Sequence, residues 1–323
     1  MATCGFCLIC GILIGGGRVR AASPITAIAF TPSGDGVVIG SQQGVELLGW
    51  PELGRQRHWP LGAMQVHDLA FAPHGKQLAI AGGDPAETGK LQVLDWPAAD
   101  DKTPRTISSA HKDVIYRVAW REDGNALATA SGDAKVLIVH HADGLQERGF
   151  QEVMGEPLEF AGHASDVFGV AFLAGGKLVT GGNDGSLRLW DTDTRQAIRT
   201  LTNHTDAIRA VSVRPGDAKL PVVATAGADR TVRFWQPTIG RLMRFARLPS
   251  SPLDLVWTMD GRQVLAACAD GRLRMIDWQT TEVTGDWPLW NDWAYCVAIH
   301  PTEPIAVVGG ANGELKRVPI GSP

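Results

Sequence analysis

The chain has 323 residues, a formal net charge of -4, and a composition that is 44% hydrophobic and 20% charged. Such a composition excludes intrinsic disorder, and the lack of a strong basic field argues against a nucleic-acid partner. The 38 glycines and 19 prolines beside 11 tryptophans indicate many short strands joined by tight turns, which is typical of an all-β fold.

The first 22 residues form an apolar leader with two possible roles. Phe6–Ile14 and the small residues up to Ala22 are typical of a secretory signal peptide, although no Lys or Arg precedes the apolar run. We favour this role, which predicts an exported or periplasmic protein; without it we expect a cytoplasmic one. Alternatively, Ile12–Ala22 forms the outer strand of the last repeat, because only Pro319–Pro323 follow that repeat. No apolar run reaches the ~20 residues of a membrane-spanning helix.

Cysteine and histidine use predicts no disulfide framework, metal site or other cofactor. Three of the five cysteines lie in the leader, at Cys4, Cys7 and Cys10. Their spacing resembles part of a ferredoxin cluster motif, but Ile14 stands where the fourth ligand would fall. Cys268 and Cys296 are too few for a disulfide framework. The adjacent pair His140-His141 has no Cys or carboxylate at ligand spacing.

After the leader the chain repeats one unit: an apolar strand, a turn, a strand of small residues, a second turn and a third strand. The first strands of its seven copies end at Phe30, Phe71, Trp120, Phe172, Val213, Trp257 and Ile299. The intervals are close to the ~40–45 residues that four short strands require. Turn pairs such as Asp184-Gly185 and Asn312-Gly313 support the copies separately, because they tolerate the positive φ of tight hairpins.

The fourth copy resembles a complete WD40 repeat. It contains Gly162-His163, Leu178–Gly185 and Leu187–Asp191, and copy five, His204–Trp235, is nearly as complete. Copy three ends at Val139, where the family has Trp, and the other four copies keep the turns but lose the His. The turn style looks like that of bacterial WD40 proteins.

This resemblance spans about residues 24 to 318 and implies a fold. We expect an all-β, seven-bladed β-propeller of four-stranded blades over residues 23–323, with the ring closed by pairing of the chain termini. Copies three to five are expected to be braced by polar networks, and the rest of the ring mainly by apolar packing.

Three copies place a His, a Thr and an Asp in register, a set that could form a catalytic triad. The members are His111, Thr129 and Asp133; His163, Thr180 and Asp184 with Trp190; and His204, Thr225 and Asp229 with Trp235. The resemblance instead implies buried structural chains, in which Trp donates to Thr, Thr to imidazole and imidazole to Asp. Three copies in three repeats also argue against active sites. We therefore predict no catalytic residues and no enzyme.

A tryptophan cluster between copies six and seven is the most specific surface feature. Its candidate partner-binding residues are Trp287, Trp290, Asn291, Asp292 and Trp293. Three indoles within seven residues resemble the aromatic anchors of a binding hot spot, and Trp290 aligns with the His of copy four. Alternatively, one or two indoles fold inward and fill the space left by the missing networks.

A second candidate set occupies one register of the first strands, two residues before the aligned Val. It comprises Tyr116, Phe168, Arg209 and Tyr295. These side chains should lie near the entrance of the central channel, and Tyr and Arg are enriched in interfaces. Simple packing at strand ends is the alternative.

Two classes of function remain open. In the first, a monomeric propeller is a non-catalytic scaffold that binds a protein or peptide partner on its loop face. In the second, it is a propeller enzyme or small-ligand binder with a site over the central channel. The first is favoured, because most histidines belong to the inferred structural networks.

Overall fold

The computed structural model describes residues 23–98, 102–140, 157–216 and 219–321. These residues form seven antiparallel sheets, and strands run outward through each sheet in chain order. The predicted all-β, seven-bladed propeller is confirmed. No helix of the described ranges is long and apolar enough to cross a membrane.

Six blades have four strands, and the seventh has three within the described ranges. The strands of blades one to three are β1 (Ala27–Phe30), β2 (Gly36–Ser41), β3 (Gly44–Gly49), β4 (Gly54–Trp59), β5 (Gln65–Phe71), β6 (Gln77–Asp84), β7 (Thr88–Asp95), β8 (Arg105–His111), β9 (Ile115–Trp120), β10 (Ala126–Ser131), β11 (Lys135–His140) and β12 (Leu158–Ala161). Those of blades four and five are β13 (Val167–Leu173), β14 (Lys177–Gly182), β15 (Leu187–Asp191), β16 (Ala197–Leu201), β17 (Ile208–Val213), β18 (Val223–Gly227), β19 (Thr231–Gln236) and β20 (Arg241–Arg247). Those of blades six and seven are β21 (Pro252–Trp257), β22 (Gln263–Cys268), β23 (Arg272–Asp277), β24 (Val283–Pro288), β25 (Ala294–Ile299), β26 (Ile305–Gly310) and β27 (Leu315–Pro319).

Small residues in the second strand of each blade let neighbouring blades approach closely. All six residues of β10 (ALATAS) and all five of β18 (VATAG) are buried. A Cβ on Gly40 would lie 2.4 Å from the Val66 side chain, and one on Gly181 would lie 2.5 Å from that of Ile208. Only glycine therefore fits these positions between blades.

The core is divided into seven apolar layers, one at each junction between blades. The layer between blades four and five, for example, contains Val179, Leu189 and Trp235. The layer between blades seven and one contains Ile25, Ile28 and Val307. Each blade is thus stabilised mainly by its two neighbours, as expected for a repeat protein.

The ring closes where blade one packs on blade seven. The Ile25 N–H donates to the Gly310 carbonyl at 3.2 Å, and His300 Nε2 donates to the Gly34 carbonyl at 3.0 Å. The rings of His300, Phe30 and Trp50 also contact one another, with centroids 5.0–5.2 Å apart. The predicted pairing of Ile12–Ala22 as an outer strand lies outside the described residues.

Candidate functional site

Seven side chains, one from each blade, ring the mouth of the central channel on the face where loops enter the first strands. They are Thr26, His67, Tyr116, Phe168, Arg209, Leu253 and Tyr295. With Arg117, Trp293 and a few small loop residues they line a pocket of about 660 Å³, here called the channel-mouth pocket. Because all seven occupy one register of equivalent strands, the symmetry of the fold brings them together.

Sequence reasoning found four members of this ring and missed three. Tyr116, Phe168, Arg209 and Tyr295 lie in the pocket. Thr26, His67 and Leu253 were missed, although they also stand two residues before the aligned apolar position in copies one, two and six. Applying the same register to every copy would have found them.

The ring side chains contact one another around half of the mouth. The Tyr116 ring lies edge-on to Phe168, with centroids 4.9 Å apart, and at 5.4 Å from the His67 ring. The Arg209 guanidinium lies over the Phe168 ring, 4.8 Å from its centroid. These contacts fix the aromatic surface before any partner arrives, which lowers the entropy cost of binding.

The tryptophan cluster divides between the pocket and the core. Trp293 is 48% exposed, lines the pocket and packs edge-on against Tyr295 at 5.6 Å. Trp290 folds inward: its Nε1 donates to Glu314 at 2.8 Å and the Lys316 ammonium lies over its ring. Trp290 also covers Gly310, as His163 covers Gly182 in blade four.

The remaining members of the cluster are peripheral to the pocket. Trp287 is half-buried, packs over Gly285 and joins the layer between blades six and seven. Asn291 and Asp292 are exposed in the loop, and Asp292 accepts the Trp293 N–H at 2.8 Å. Of the three indoles, Trp293 alone lines the pocket.

The two tyrosines and the histidine of the pocket are neutral at physiological pH, beside the charged Arg209. Burial, and then the carboxylates of Asp166 and Asp113, raise the pKa of Tyr116, and burial and Asp292 raise the pKa of Tyr295. Burial lowers the pKa of His67, whose Nε2 is buried without a hydrogen-bond partner. The pocket therefore offers neutral phenol groups to a ligand.

A charged triad crosses the channel, and its arginine, Arg117, also lines the channel-mouth pocket. The Arg117 guanidinium from blade three lies 2.9 Å from Asp254 of blade six and 3.5 Å from Asp68 of blade two. Asp68 also accepts the Val118 N–H, and Asp254 accepts the Val297 N–H. Burial raises the pKa of Asp68 to about 6, against the effect of Arg117. The sequence did contain a signal for this triad: Asp68, Arg117 and Asp254 each stand one residue before the aligned apolar position of the first strand.

The His-Thr-Asp sets form hydrogen-bonded chains within their blades. In blade four, His163 Nδ1 lies 3.0 Å from Asp184, its Nε2 lies 2.7 Å from the Thr180 hydroxyl, and Trp190 Nε1 donates to that hydroxyl at 2.8 Å. Blade five repeats the set with His204, Thr225, Asp229 and Trp235 at 2.7–2.9 Å. Blade three has His111, Thr129 and Asp133 without the Trp.

Two physical features argue that these chains are structural. The Thr180 and Thr225 hydroxyls are fully buried, so no substrate could reach them. Burial lowers the pKa of His163, which keeps the ring neutral. Burial would raise the pKa of Asp184, but hydrogen bonds from Ser186 and the neighbouring His163 lower it to about 2. In blades four and five, where burial also lowers the pKa of His204, each chain is a neutral imidazole held by a carboxylate.

The described ranges contain no group of three or more His, Cys, Asp or Glu that could hold a metal ion. His140 is exposed at the end of β11, and His141 and the leader cysteines lie outside the described ranges. Cys268 and Cys296 are buried free thiols.

Comparison with known proteins identifies the repeats. The family model of the WD domain, G-beta repeat, matches residues 102–139, 156–191 and 195–236, which contain the three His-Thr-Asp sets. The chain is 26% identical to cell division cycle 20.1, a cofactor of the APC complex from Arabidopsis thaliana, over 62% of this chain and 42% of the relative.

Two further relatives give the same picture. The B-type cell cycle switch protein ccs52B of Medicago truncatula is 27% identical over 58% of this chain and 36% of its own length. The anaphase-promoting complex subunit cdc20 of Dictyostelium discoideum is 23% identical over 78% and 48%. The chain spans less than half the length of these relatives, and their eukaryotic sources do not support the bacterial-type qualifier. The matched segments are WD40 repeats, and they support placing the chain in the WD40-repeat family.

Proposed function

We propose that this chain is a non-catalytic scaffold that binds a protein or peptide partner over the mouth of its central channel. The observation that carries the proposal is the channel-mouth pocket, where Tyr116, Phe168, Arg209, Trp293 and Tyr295 converge. Trp, Tyr and Arg are the residue types that dominate binding energy in protein interfaces.

The pocket has the layout of a hot spot. Trp293 supplies an exposed indole at one side, and the Tyr116–Phe168–Arg209 group supplies a packed surface at the other. The neutral phenols of Tyr116 and Tyr295 can form hydrogen bonds with a peptide backbone. An extended segment laid across the mouth would bury both sides at once.

The names of the relatives support a partner that is itself a protein. Those from Arabidopsis and Dictyostelium are named as a cofactor of the APC complex and as a subunit of the anaphase-promoting complex. By similarity, a protein assembly is the favoured class of partner, with the propeller as its rigid, monomeric platform and no enzymatic step of its own.

The test is a quantitative pull-down from native cells with wild-type protein and the variants Trp293→Ala and Tyr116→Ala. Both substitutions should reduce recovery of the same partners at least ~10-fold, as expected for hot-spot residues. The control is Met259→Ala, because Met259 is 65% exposed in blade six and away from the pocket. Equal recovery by all four proteins would refute the proposal.

A small-ligand site over the channel is the second candidate function. A pocket of about 660 Å³ has the size of a small-molecule site. A metabolite that raises the melting temperature of wild type but not of Tyr116→Ala would favour this candidate over a peptide site.

We also propose that the propeller domain comprises residues 23–323 and that residues 1–22 are a removable leader. Amino-terminal sequencing of natively expressed protein tests this: a start near Ala22 supports export, and an intact Met1 or Ala2 refutes it. In the second case, pairing of Ile12–Ala22 with β27 is the remaining role for these residues.

A further inference from the structure

Arginine and aspartate side chains pair on the third strands of blades four and five, but not on their outer strands. Arg188 pairs with Asp184 and Arg233 with Asp229 on the third strands of these blades. Farther out, none of the arginines has a carboxylate within 4.0 Å among the described residues. They are Arg195, Arg199, Arg241, Arg244 and Arg247.

Arg199 and Arg247 lie on the surfaces that blades four and five turn toward each other, near opposite ends of β20. The Arg199 side chain lies beside Gly240, just before β20, and Arg247 is the last residue of that strand. Arg199 of β16 stands opposite Leu189, whose side chain belongs to the layer between blades four and five. On β20, Phe245 stands opposite Arg233, and Arg247 opposite Thr231, on the same face as Trp235 of that layer. Directly paired residues share a face, so these side chains line one cleft.

The cleft has an apolar base and an exposed aromatic wall. Leu201 and Leu242 pack on the layer below and form the base. Phe245 is 46% exposed, and the Arg233 guanidinium lies 5.2 Å from its ring centroid. Arg199 and Arg247 are both exposed. We call the set Arg199, Leu201, Leu242, Phe245 and Arg247 the arginine cleft.

We propose that the arginine cleft binds an acidic segment of a partner protein, with an apolar side chain of that segment packed against Phe245. Unpaired guanidinium groups bind carboxylates in bidentate fashion, and the two arginines flank an apolar centre. β16 and β20 carry arginine and no lysine, whereas simple protection of an edge strand is served as well by lysine. An acidic protein segment is favoured over nucleic acid for two reasons. The net charge of -4 gives no general attraction for a phosphate backbone, and the exposed Phe245 offers an apolar contact for a side chain.

The experiment is a selection of random displayed peptides on the purified chain, followed by affinity measurement of the winning peptides by fluorescence polarisation. The test variants are Arg199→Glu/Arg247→Glu and Phe245→Ser. A matched control, Arg55→Glu/Arg262→Glu, makes the same change in net charge at exposed arginines of blades one and six. Near-ultraviolet circular dichroism verifies the fold of each variant.

Selected peptides should be rich in Asp and Glu around one aliphatic or aromatic residue. Arg199→Glu/Arg247→Glu should weaken their binding more than ~10-fold, Phe245→Ser several-fold, and the control less than ~2-fold. Trp293→Ala should have no effect, which separates this surface from the channel mouth. Peptides without acidic enrichment, or equal weakening by the control, would overturn the proposal. So would a uridine oligonucleotide that binds the cleft more tightly than the peptides do.

Discussion

Removing the Asp184 carboxylate tests whether the His-Thr-Asp chains hold the blades. The side chain lies 3.0 Å from His163 Nδ1 and accepts the Ser186 hydroxyl at 2.6 Å, the Ser186 N–H at 3.0 Å and the Ala164 N–H at 3.2 Å. Asp184→Ala leaves these donors without their acceptor, and His163 is too buried to be solvated. We expect a loss of about 3–5 kcal/mol in the free energy of unfolding, the size of a broken buried polar pair.

The assay is urea unfolding monitored by tryptophan fluorescence, with Asp193→Ala as the control. Asp193 is exposed in the turn after β15 and has no buried partner, so its variant should stay within ~0.5 kcal/mol of wild type. If Asp184→Ala also stays within ~0.5 kcal/mol, the chain in blade four does not brace the fold, and our reading of all three chains fails.

Three further predictions concern the fold and the channel. The free energy of unfolding should decrease as the pH falls from about 6.5 to about 2, because folding lowers the pKa of His163 below 6.5 and that of Asp184 from 3.8 to about 2. In Asp184→Asn the melting temperature should depend less steeply on pH across this range. Asp68 acts in the opposite direction, because folding raises its pKa from 3.8 to about 6 and wild type therefore loses stability as the pH rises between these values. Asp68→Asn lacks this loss, so its stability relative to wild type should rise with pH over the same interval. Ala134 has φ 65° where four other copies have glycine, so Ala134→Gly should raise the free energy of unfolding by about 0.5–1 kcal/mol. A loss of stability would contradict the strain argument.

The blades could be predicted from the sequence because each is encoded locally. Six of the seven predicted strand ends, from Phe30 to Ile299, coincide with the ends of first strands, and Phe172 lies one residue before the end of β13. The glycines of the second turns, such as Gly185 and Gly313, adopt the positive φ that the pattern requires. Turn chemistry and strand alternation act over a few residues, so a single sequence displays them.

Contacts between blades could not be predicted in the same way. Arg117 meets Asp68 and Asp254 across sequence separations of 49 and 137 residues, and only the closed ring brings them together. Trp290 folds inward because its Nε1 donates to Glu314 and its ring lies under the Lys316 ammonium, both in blade seven. Among the described residues, no carboxylate or ammonium group contacts Trp293 in this way.

The expectation that half of the ring relies mainly on apolar packing was incomplete. In blade six, which lacks the His, Arg274 is almost fully buried and forms two hydrogen bonds to Asp270, at 3.0 and 2.6 Å. This pair occupies the places of Arg188 and Asp184 in blade four. A guanidinium therefore replaces the imidazole as the polar brace.

The central claim, that the channel mouth binds a protein partner, is tested most directly by a photoreactive residue placed at position 293. Benzoyl-phenylalanine in place of Trp293 keeps an aromatic group in the pocket and labels whatever lies against it in native cells. The account predicts a discrete protein adduct from position 293 and none from Met259, which is exposed elsewhere. Adducts of equal yield from both positions, or from neither, would contradict it.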